Sequence, residues 1–203
     1  MEGMTTILLA EDKAAIRESF AEMLRKQQDF NVVVAKNGRE AVGQAWLFPP
    51  QVALLDIRMP DMTGLEVLEE FKRTVPNCRC IILTTFALAS YVLDAYQKDA
   101  WAFLTKDTSF QQILDVVRAV LAGRRMFDGQ LLNRAKAIGT CPLSERERII
   151  LKRTAMLGST QKVAQELCLS KGTVDNYLSL ILNKLNASNR LQAYCTAERN
   201  GWL

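Results

Sequence analysis

Short apolar runs alternate with helical patterns over the first 124 residues of the chain. Each run ends in polar residues and is followed by a helical pattern; the five runs cover residues 7–10, 32–35, 52–55, 80–83 and 102–104. Alternation of this kind is typical of a parallel sheet whose strands are joined by helices on its two faces. The pattern therefore predicts an α/β domain with a doubly wound, five-stranded parallel sheet.

The segments between these runs carry apolar residues at helical spacing, as core-facing helices do. Leu24 belongs to such a stripe in the first helix and Val117 to one in the fifth. Ser109, three residues before Gln112, predicts a capping box at the start of the fifth helix. These features support the α/β prediction and suggest no chemistry of their own.

A second helical unit follows a less regular segment. Residues 125–141 mix Gly, Arg, Asp and Asn around one short helical stretch, which indicates a linker. After Pro142, Ser144 and Glu147 have the spacing of a capping box for a first helix. We therefore predict a domain over residues 1–124, a linker over 125–141 and a small all-α domain over 142–203.

Within the second domain, a short helix over residues 161–167 is separated by a tight turn from a longer one that ends near Leu185. Two helices and a tight turn predict a helix-turn-helix. The apolar face of the longer helix carries Val174, Leu178, Ile181, Leu182 and Leu185. The opposite face carries Asp175, Asn176, Ser179 and Asn183.

The polar face has the chemistry to contact DNA bases. Asn pairs bidentately with adenine, Asp accepts from cytosine, and Ser is permissive. The candidate phosphate contacts that flank it are Ser170, Lys171, Thr173, Lys184 and Arg190. A solvated helix face explains the same residues equally well, because helical bundles also have polar outer faces.

Charge is divided unevenly between the two domains. Residues 1–124 carry 14 Lys or Arg and 16 Asp or Glu, a net charge of −2, whereas residues 125–203 carry 12 and 6, a net charge of +6. These sum to the overall charge of +4. The C-terminal third is therefore the candidate for contacting phosphates.

Composition excludes several classes of protein. The chain is 49% hydrophobic but has no apolar run of about 18 residues that could span a bilayer, and its first residues do not have a signal-peptide pattern. We therefore expect a cytoplasmic protein, in which the odd, scattered set of five cysteines stays reduced. Cys78 and Cys80 have only weak support as a metal pair at this spacing. The absence of histidine excludes Ser-His and Cys-His nucleophiles and favours carboxylate chemistry.

Polar residues at the ends of four predicted strands form a candidate phosphoryl-transfer site. Glu11 and Asp12 follow the first run, Asp56 the third, Thr84 the fourth and Lys106 the fifth. In open parallel sheets the functional crevice lies at this edge. Clustered carboxylates need a cation, and their hard oxygen ligands favour Mg²⁺.

In this interpretation each residue has a role. Asp12 and Asp56 bind Mg²⁺ directly and Glu11 binds it through water, while Asp56 is also the nucleophile. Thr84 and Lys106 bind phosphoryl oxygens. Taken alone, a strand-end Asp is more often a turn or a helix cap, and a lone lysine a solvated charge.

The segments ILLAED, LLDIRMPDMTGLEVL, IILTTF and FLTKD resemble the receiver domain of two-component response regulators over about the first 124 residues. The resemblance implies a flavodoxin-like fold, with Asp56 accepting a phosphoryl group from a sensor histidine kinase. It implies that the Arg58 backbone carbonyl joins the metal ligands, and that Thr84 and Phe103 form the switch. A plain core aromatic is nearly as good an interpretation of Phe103.

One departure from the receiver pattern lies between the fourth helix and the fifth strand. Where the family usually has glycines, the segment QKDAWAFL offers Asp99 and Ala102. Asp tolerates a left-handed turn, so we expect the fold to be kept.

The segments LSERERIIL, TQKVAQEL and LSKGTVDNYLSLILNKLNASNRLQA resemble the LuxR-type output domain of the NarL/FixJ subfamily. The resemblance implies promoter-DNA binding and homodimerisation through the last helix, with half-sites spaced about 10 base pairs apart. The residues of that helix and the tail after it that suggest such a surface are Leu191, Tyr194, Cys195 and Trp202. Packing within the monomer explains part of it. Asp175 and Tyr177 differ from the residues that the family often carries there.

The sequence thus predicts a DNA-binding response regulator, not an enzyme, in which phosphorylation of Asp56 promotes dimerisation and transcriptional control. One alternative is a phosphatase of the haloacid-dehalogenase kind, but these enzymes generally need a second acid where the chain has Arg58. Another is a DNA-binding regulator whose receiver serves as a dimerisation module without phosphorylation.

Overall fold

The computed structural model describes residues 4–203. The first three residues of the predicted N-terminal domain, at the start of the segment judged not to be a signal peptide, lie outside the described residues. Within the described residues the chain forms two compact units, one of residues 4–87 and 94–132 and the other of residues 88–93 and 133–203. Among the helices of residues 4–203, none combines the length and the apolar character that a membrane-spanning segment requires.

The first unit contains a five-stranded parallel sheet in the order β2-β1-β3-β4-β5. The strands are β1 (Thr5–Ala10), β2 (Phe30–Ala35), β3 (Val52–Leu55), β4 (Arg79–Thr84) and β5 (Ala102–Thr105). The helices between and after them are α1 (Ala14–Arg25), α2 (Gly38–Leu47), α3 (Gly64–Thr74), α4 (Ala89–Gln97) and α5 (Phe110–Leu121). The predicted doubly wound α/β fold is confirmed.

Burial explains why the central strands have no alternating pattern. All four residues of β3 are buried, since helices cover both faces of the sheet. The core of this unit also includes Leu24 of α1 and Val117 of α5, both fully buried, as their stripes predict.

Caps fix where several helices begin. The Thr63 hydroxyl accepts from the Glu66 N–H, and the Glu66 carboxylate accepts from the Thr63 N–H, which makes a complete capping box at α3. At α5 the prediction is half right. Ser109 accepts from the Gln112 N–H, but the Gln112 side chain accepts from the Ser109 hydroxyl and not from its backbone.

The register of the sheet brings the predicted site together. Ala10 at the end of β1 pairs with Leu55 at the end of β3, so the residues that follow these strands are neighbours. Thr84 pairs with Thr105 in the same way, which brings Lys106 to the same edge. The edge at the carboxyl ends of the strands is thus lined by the predicted polar residues.

The turn between α4 and β5 tolerates the departure noted in the sequence. Asp99 has a φ of 58°, the left-handed region in which Asp is better accepted than most residues. Its carboxylate lies 2.8 Å from the Lys72 ammonium of α3. Ala102 is fully buried in β5. The expectation that the fold is kept is confirmed.

The second unit is also helical, and its first segment, residues 88–93, includes the start of α4. Its helices are α6 (Gly129–Ile138, which begins before the unit boundary), α7 (Glu145–Leu157), α8 (Thr160–Glu166), α9 (Lys171–Lys184) and α10 (Arg190–Arg199). Ser144 and Glu147 form the predicted capping box at α7. Buried apolar residues from α7, α8, α9 and α10 form one core.

Candidate functional site

Three carboxylates meet at the carboxyl edge of the sheet. One oxygen each from Glu11, Asp12 and Asp56 lies within 4.8 Å of the others. Glu11 is 2% exposed and Asp56 5% exposed, so water screens their mutual repulsion poorly. Backbone hydrogen bonds fix both positions, from the Glu11 N–H to Ala35 and from the Asp56 N–H to Ala10, each 3.0 Å long.

Lys106 provides the positive charge of this acidic pocket. Its ammonium lies 2.9 Å from the Asp56 carboxylate and also pairs with Glu11. The Lys106 backbone N–H donates to the Thr84 carbonyl over 2.8 Å, which holds the lysine beside the end of β4. One ammonium thus faces three carboxylates, and the four groups together carry excess negative charge when all are ionised.

The close approach of these charges affects the pKa of Glu11. Burial raises the pKa of Glu11, and the neighbouring Asp56 raises it further. Hydrogen bonding and charge attraction from Lys106 act in the opposite direction without reversing the shift. The Glu11 carboxylate is therefore harder to ionise than a solvent-exposed one, and another cation in the pocket would ease its ionisation.

Asp12 supplies a direct sign that the pocket suits a cation. Its Oδ1 atom is buried and has no hydrogen-bond partner. A buried carboxylate oxygen without a partner is costly, and carboxylates gathered around one point are typical ligands of a hard divalent ion. The three acids therefore fit such an ion.

Thr84 and Phe103 lie on neighbouring strands beside the acids. Thr84 is 1% exposed, and its hydroxyl accepts from the Phe86 N–H over 3.5 Å. Phe103 is 4% exposed, so its ring is in the interior in this structure. The five residues predicted from the strand ends are thus gathered at one edge, with Phe103 on an adjoining strand.

Gly64 allows α3 to begin directly against the backbone of Asp56. A Cβ atom at this position would lie 2.2 Å from the Asp56 carbonyl oxygen, which is too close for any residue other than glycine to fit without a shift of the backbone. The Gly64 N–H donates to the Ile57 carbonyl over 3.1 Å. A side chain here would push α3 away from the pocket.

The mouth of the pocket contains an aromatic residue that the sequence interpretation missed. Phe86 is 48% exposed, and the Arg58 guanidinium carbon lies 4.9 Å from the centre of its ring. Both residues line a cavity of about 150 Å³ together with Asp12, Lys13, Asp56, Thr84 and Thr85. Its position in the sequence could have indicated this location, because Phe86 lies two residues after Thr84, where β4 ends.

The helix-turn-helix of the second unit consists of α8 and α9. Val174 and Ile181 of α9 are fully buried against the helical core. The four residues predicted for base contact, Asp175, Asn176, Ser179 and Asn183, are all exposed. Ser179 donates its hydroxyl to the Asp175 carbonyl over 3.0 Å, so in this structure it bonds within its own helix.

The residues predicted to contact DNA phosphates beside α9 differ in whether their side chains are free to do so. Lys171 is exposed at the start of α9, whereas Ser170 caps that helix by accepting from the Thr173 N–H. The Lys184 ammonium lies 2.8 Å from the carboxylate of Glu147, whose side chain is 5% exposed. Lys184 is therefore already paired with a side chain of α7 within its own domain. The sequence interpretation missed this ion pair.

The last helix forms a groove with α7. A cavity of about 450 Å³ is lined by Leu151, Thr154, Ala155, Met156, Gly158, Arg190, Leu191 and Tyr194. Met156 is 63% exposed and Leu191 68% exposed, while Cys195 is also exposed. Trp202, by contrast, is 7% exposed within the core of its own unit. Monomer packing thus accounts for Trp202 and leaves Leu191 uncovered.

A doubly wound α/β unit with a cation-suited acidic pocket, followed by a helix-turn-helix, defines a class of proteins in which a receiver controls DNA binding. Models of protein families match accordingly. Residues 7–118 match the response regulator receiver domain, and residues 141–197 match the bacterial regulatory proteins of the luxR family. The chain belongs to the response regulators and is a DNA-binding transcription regulator of a two-component system, not an enzyme.

Similarity to individual proteins extends over both units. The transcriptional regulatory protein DesR of Bacillus subtilis is 35% identical, over 98% of this chain and 99% of the relative. The crystal structure of the response regulator ChrA of a heme-sensing two-component system aligns with a TM-score of 0.59 at 26% identity, covering 99% of this chain and all of ChrA. RcsB of Salmonella enterica serovar Typhimurium, bound to promoter rprA with a phosphomimetic, aligns with a TM-score of 0.66 at 19% identity over 97% of this chain and 99% of RcsB.

Proposed function

We propose that Asp56 accepts a phosphoryl group from a sensor histidine kinase and that this modification promotes dimerisation and promoter binding. The observation that carries the proposal is the convergence of Asp56 with Glu11, Asp12 and Lys106 in one pocket. A carboxylate oxygen of Asp56 attacks phosphorus, the bond to the donor nitrogen breaks, and its electron pair stays on the donor.

Mg²⁺ is the divalent ion that we assign to this pocket. Asp12 and Asp56 would hold it directly, Glu11 would act through water, and the Arg58 backbone carbonyl would complete the protein ligands. The bound ion would offset negative charge on the phosphoryl oxygens. The unpartnered Asp12 oxygen supports this assignment.

Lys106 and Thr84 would act on the phosphorylated form. The Lys106 ammonium, already beside Asp56, would pair with a phosphoryl oxygen, and the Thr84 hydroxyl would donate to another. Movement of Thr84 would change the space beside Phe103, whose ring is in the interior in this structure. This step would bias the receiver towards its paired form.

The test of this function is phosphorylation of the purified protein by acetyl phosphate or a cognate kinase. Asp56→Ala should abolish Mg²⁺-dependent labelling. The matched control is Asp107→Asn, which removes an exposed carboxylate near the same edge and should leave labelling intact. Retained labelling in Asp56→Ala would place the acceptor elsewhere.

The partner in the active state is a second copy of this chain. Met156 and Leu191 leave apolar surface exposed beside the groove between α7 and α10, which supports pairing there, as the family resemblance implies. Leu191→Asp should keep the protein monomeric and lower its affinity for DNA. Unchanged oligomeric state and DNA affinity with beryllofluoride would instead favour the alternative of a phosphorylation-independent dimerisation module.

Promoter DNA would bind the exposed face of α9. Asn176 would contact bases together with Asp175, Ser179 and Asn183, and Lys171 would contact phosphate. Asn176→Ala should cost about 1–3 kcal/mol on the preferred site and relax its sequence preference. Lys171→Ala should weaken binding to all sequences and lower the salt slope by about 1.

The flanking residues would make smaller contributions. Ser170 and Thr173 lie at the first turn of α9, where hydroxyls and backbone N–H groups can contact phosphate. Lys184 would contact DNA only by leaving Glu147, and Arg190 lies beside the α7–α10 groove. We also propose domain boundaries at residues 1–124 and 142–203 with a linker over 125–141, consistent with the family matches over 7–118 and 141–197.

A further inference from the structure

Two cysteines share a cavity at the end of β4 that is remote from the acidic pocket. Cys80 is the second residue of β4 and is 3% exposed, while Cys78 precedes the strand and is half-buried. Residues two apart along an extended chain point to the same side. Both thiols line one cavity of about 200 Å³, and Thr84 lies at the opposite end of the same strand.

Cys78 and Cys80 are neighbours in the wall of this cavity. Hydrogen bonding to the Cys78 thiol and burial raise the pKa of Cys80. Cys80 therefore keeps its proton in the absence of another ligand. A single ion that replaces the thiol protons would have two sulfur ligands available from the same cavity wall.

The remaining walls of the cavity combine apolar surface with one ion pair. Leu68, Pro76 and Trp101 provide apolar surface. The Lys72 ammonium lies 2.8 Å from the Asp99 carboxylate, and its charge also acts on Cys80. The cavity thus places a fixed positive charge next to two potential thiolates.

We propose that Cys78 and Cys80 form a binding site for a thiophilic monovalent cation of the Cu⁺ type, held by two thiolates. Thiolate ligands select soft ions. Cu⁺ is a soft ion that cells contain, and two sulfur ligands are sufficient to bind it. On binding, two S–H bonds break, two S–Cu bonds form and two protons are released to solvent, with no change of oxidation state.

Coordination number favours a monovalent ion over Zn²⁺. A structural zinc site needs four ligands, and the acidic pocket is the one group of three or more metal-ligating residues found within residues 4–203. Two thiolates and one Cu⁺ carry a net charge of −1. The Lys72 ammonium, which is itself paired with the Asp99 carboxylate, lies beside this charge and offsets part of it.

The test is a Cu⁺ titration of the reduced, full-length protein under anaerobic conditions, with bicinchoninate as the competing chelator. The wild-type chain should withdraw one equivalent of Cu⁺ from the chelator, and X-ray absorption should show two sulfur neighbours. Displacement of that ion by an equal concentration of Zn²⁺ would overturn the proposal. So would a copper environment that contains no sulfur.

The variants separate this site from the other thiols. Cys78→Ser should lose the equivalent of Cu⁺, and its half-buried position makes the substitution compatible with folding. Cys80→Ala should also lose it. The matched control, Cys168→Ser, removes an exposed thiol in the second unit and should retain full binding. Full retention by Cys78→Ser, with a wild-type melting curve, would rule the site out.

Lys72 tests the charge argument independently of the ligands. Lys72→Gln should weaken Cu⁺ binding by about 10-fold to 100-fold, as loss of an outer-shell partner does, and Lys72→Arg should restore most of it. Labelling of Asp56 by acetyl phosphate should be unchanged in the apo form of both variants. Equal Cu⁺ affinity in Lys72→Gln and the wild type would contradict the role of this ammonium in the proposed site.

Discussion

The ammonium of Lys106 lies 2.9 Å from the carboxylate of Asp56 and pairs with Glu11 as well. One positive charge therefore serves two acids, while the third, Asp12, keeps a buried oxygen without a partner. A pocket of this kind is electrostatically incomplete, because its carboxylates repel one another in a poorly screened environment. The acids proposed to bind Mg²⁺ should therefore lower the free energy of unfolding of the metal-free protein, and substitution of one of them measures that cost.

Asp12→Asn should stabilise the metal-free protein while weakening its response to Mg²⁺. Removing one of three like charges should raise the free energy of unfolding by on the order of 1 kcal/mol. Mg²⁺ at 100 times its Kd should stabilise the wild type by about 2.7 kcal/mol and Asp12→Asn by much less at the same concentration. Thermal unfolding with and without Mg²⁺ measures both effects.

Asp107→Asn is the control, since it removes an exposed acid near the same sheet edge without altering the cluster. Its Mg²⁺ response should match that of the wild type. If Asp12→Asn is stabilised by Mg²⁺ as strongly as the wild type, then Asp12 does not hold the ion.

Glu11 should make the metal-free receiver less stable as the pH rises. Burial raises the pKa of Glu11 in the folded protein above its ordinary value of 4.5. The folded state therefore keeps a proton that the unfolded state has already released. Its stabilising contribution is complete below pH 4.5 and is lost as the pH rises through the folded pKa.

The measurement is the difference in free energy of unfolding between Glu11→Gln and the wild type at a series of pH values. Glu11→Gln should gain relative stability as the pH increases from 4.5 towards neutrality, and added Mg²⁺ should reduce that gain. A difference that is flat across this pH range would show that Glu11 titrates normally in the fold.

Phe86→Ala should open the mouth of the acidic pocket. The ring packs against the Arg58 guanidinium and lines the cavity that leads to Asp56. Without it, small phosphodonors and water should reach Asp56 more easily, so labelling by acetyl phosphate and loss of the label should both accelerate several-fold. Radiolabel incorporation and decay measure the two rates.

Phe86→Tyr is the matched variant, because it keeps the ring and the cation–π contact. It should leave both rates near those of the wild type. Equal rates in Phe86→Ala and Phe86→Tyr would mean that the ring does not limit access.

Lys184→Met should destabilise the helix-turn-helix by leaving the Glu147 carboxylate without its ion-pair partner. Burial acts to raise the pKa of Glu147, but hydrogen bonds from Lys184 and Ser144 outweigh it and lower the pKa. Because Lys184 is 41% exposed, solvent screening reduces the cost to about 1–2 kcal/mol. Hydrogen exchange of α7 and α9 amides in the full chain measures it.

The pH dependence of this pair has the opposite sign to that of Glu11. A lowered folded pKa gives stability that is present above 4.5 and is lost as the pH falls through the folded pKa. Glu147→Gln should remove that dependence while keeping an acceptor for the Ser144 N–H. Wild-type exchange protection in Lys184→Met would show that the ion pair contributes nothing.

Periodicity and residue type were sufficient for the fold class. Parallel strands buried on both faces need continuous apolar runs, and helices need apolar positions at helical spacing, so both signals are local. The same reasoning anticipated that Glu11, Asp12 and Asp56 would meet, because carboxyl ends of neighbouring parallel strands share one edge. The register between Ala10 and Leu55 confirms that proximity.

Local patterns along the chain therefore predict the succession of strands and helices and the set of polar residues at the strand ends. Which of these side chains already have partners depends on how the elements pack in three dimensions. Lys184 pairs with Glu147, 37 residues away, Lys72 pairs with Asp99, and Arg58 packs on Phe86. Such pairings join residues distant along the chain whose meeting depends on how helices pack, and no local pattern encodes that packing.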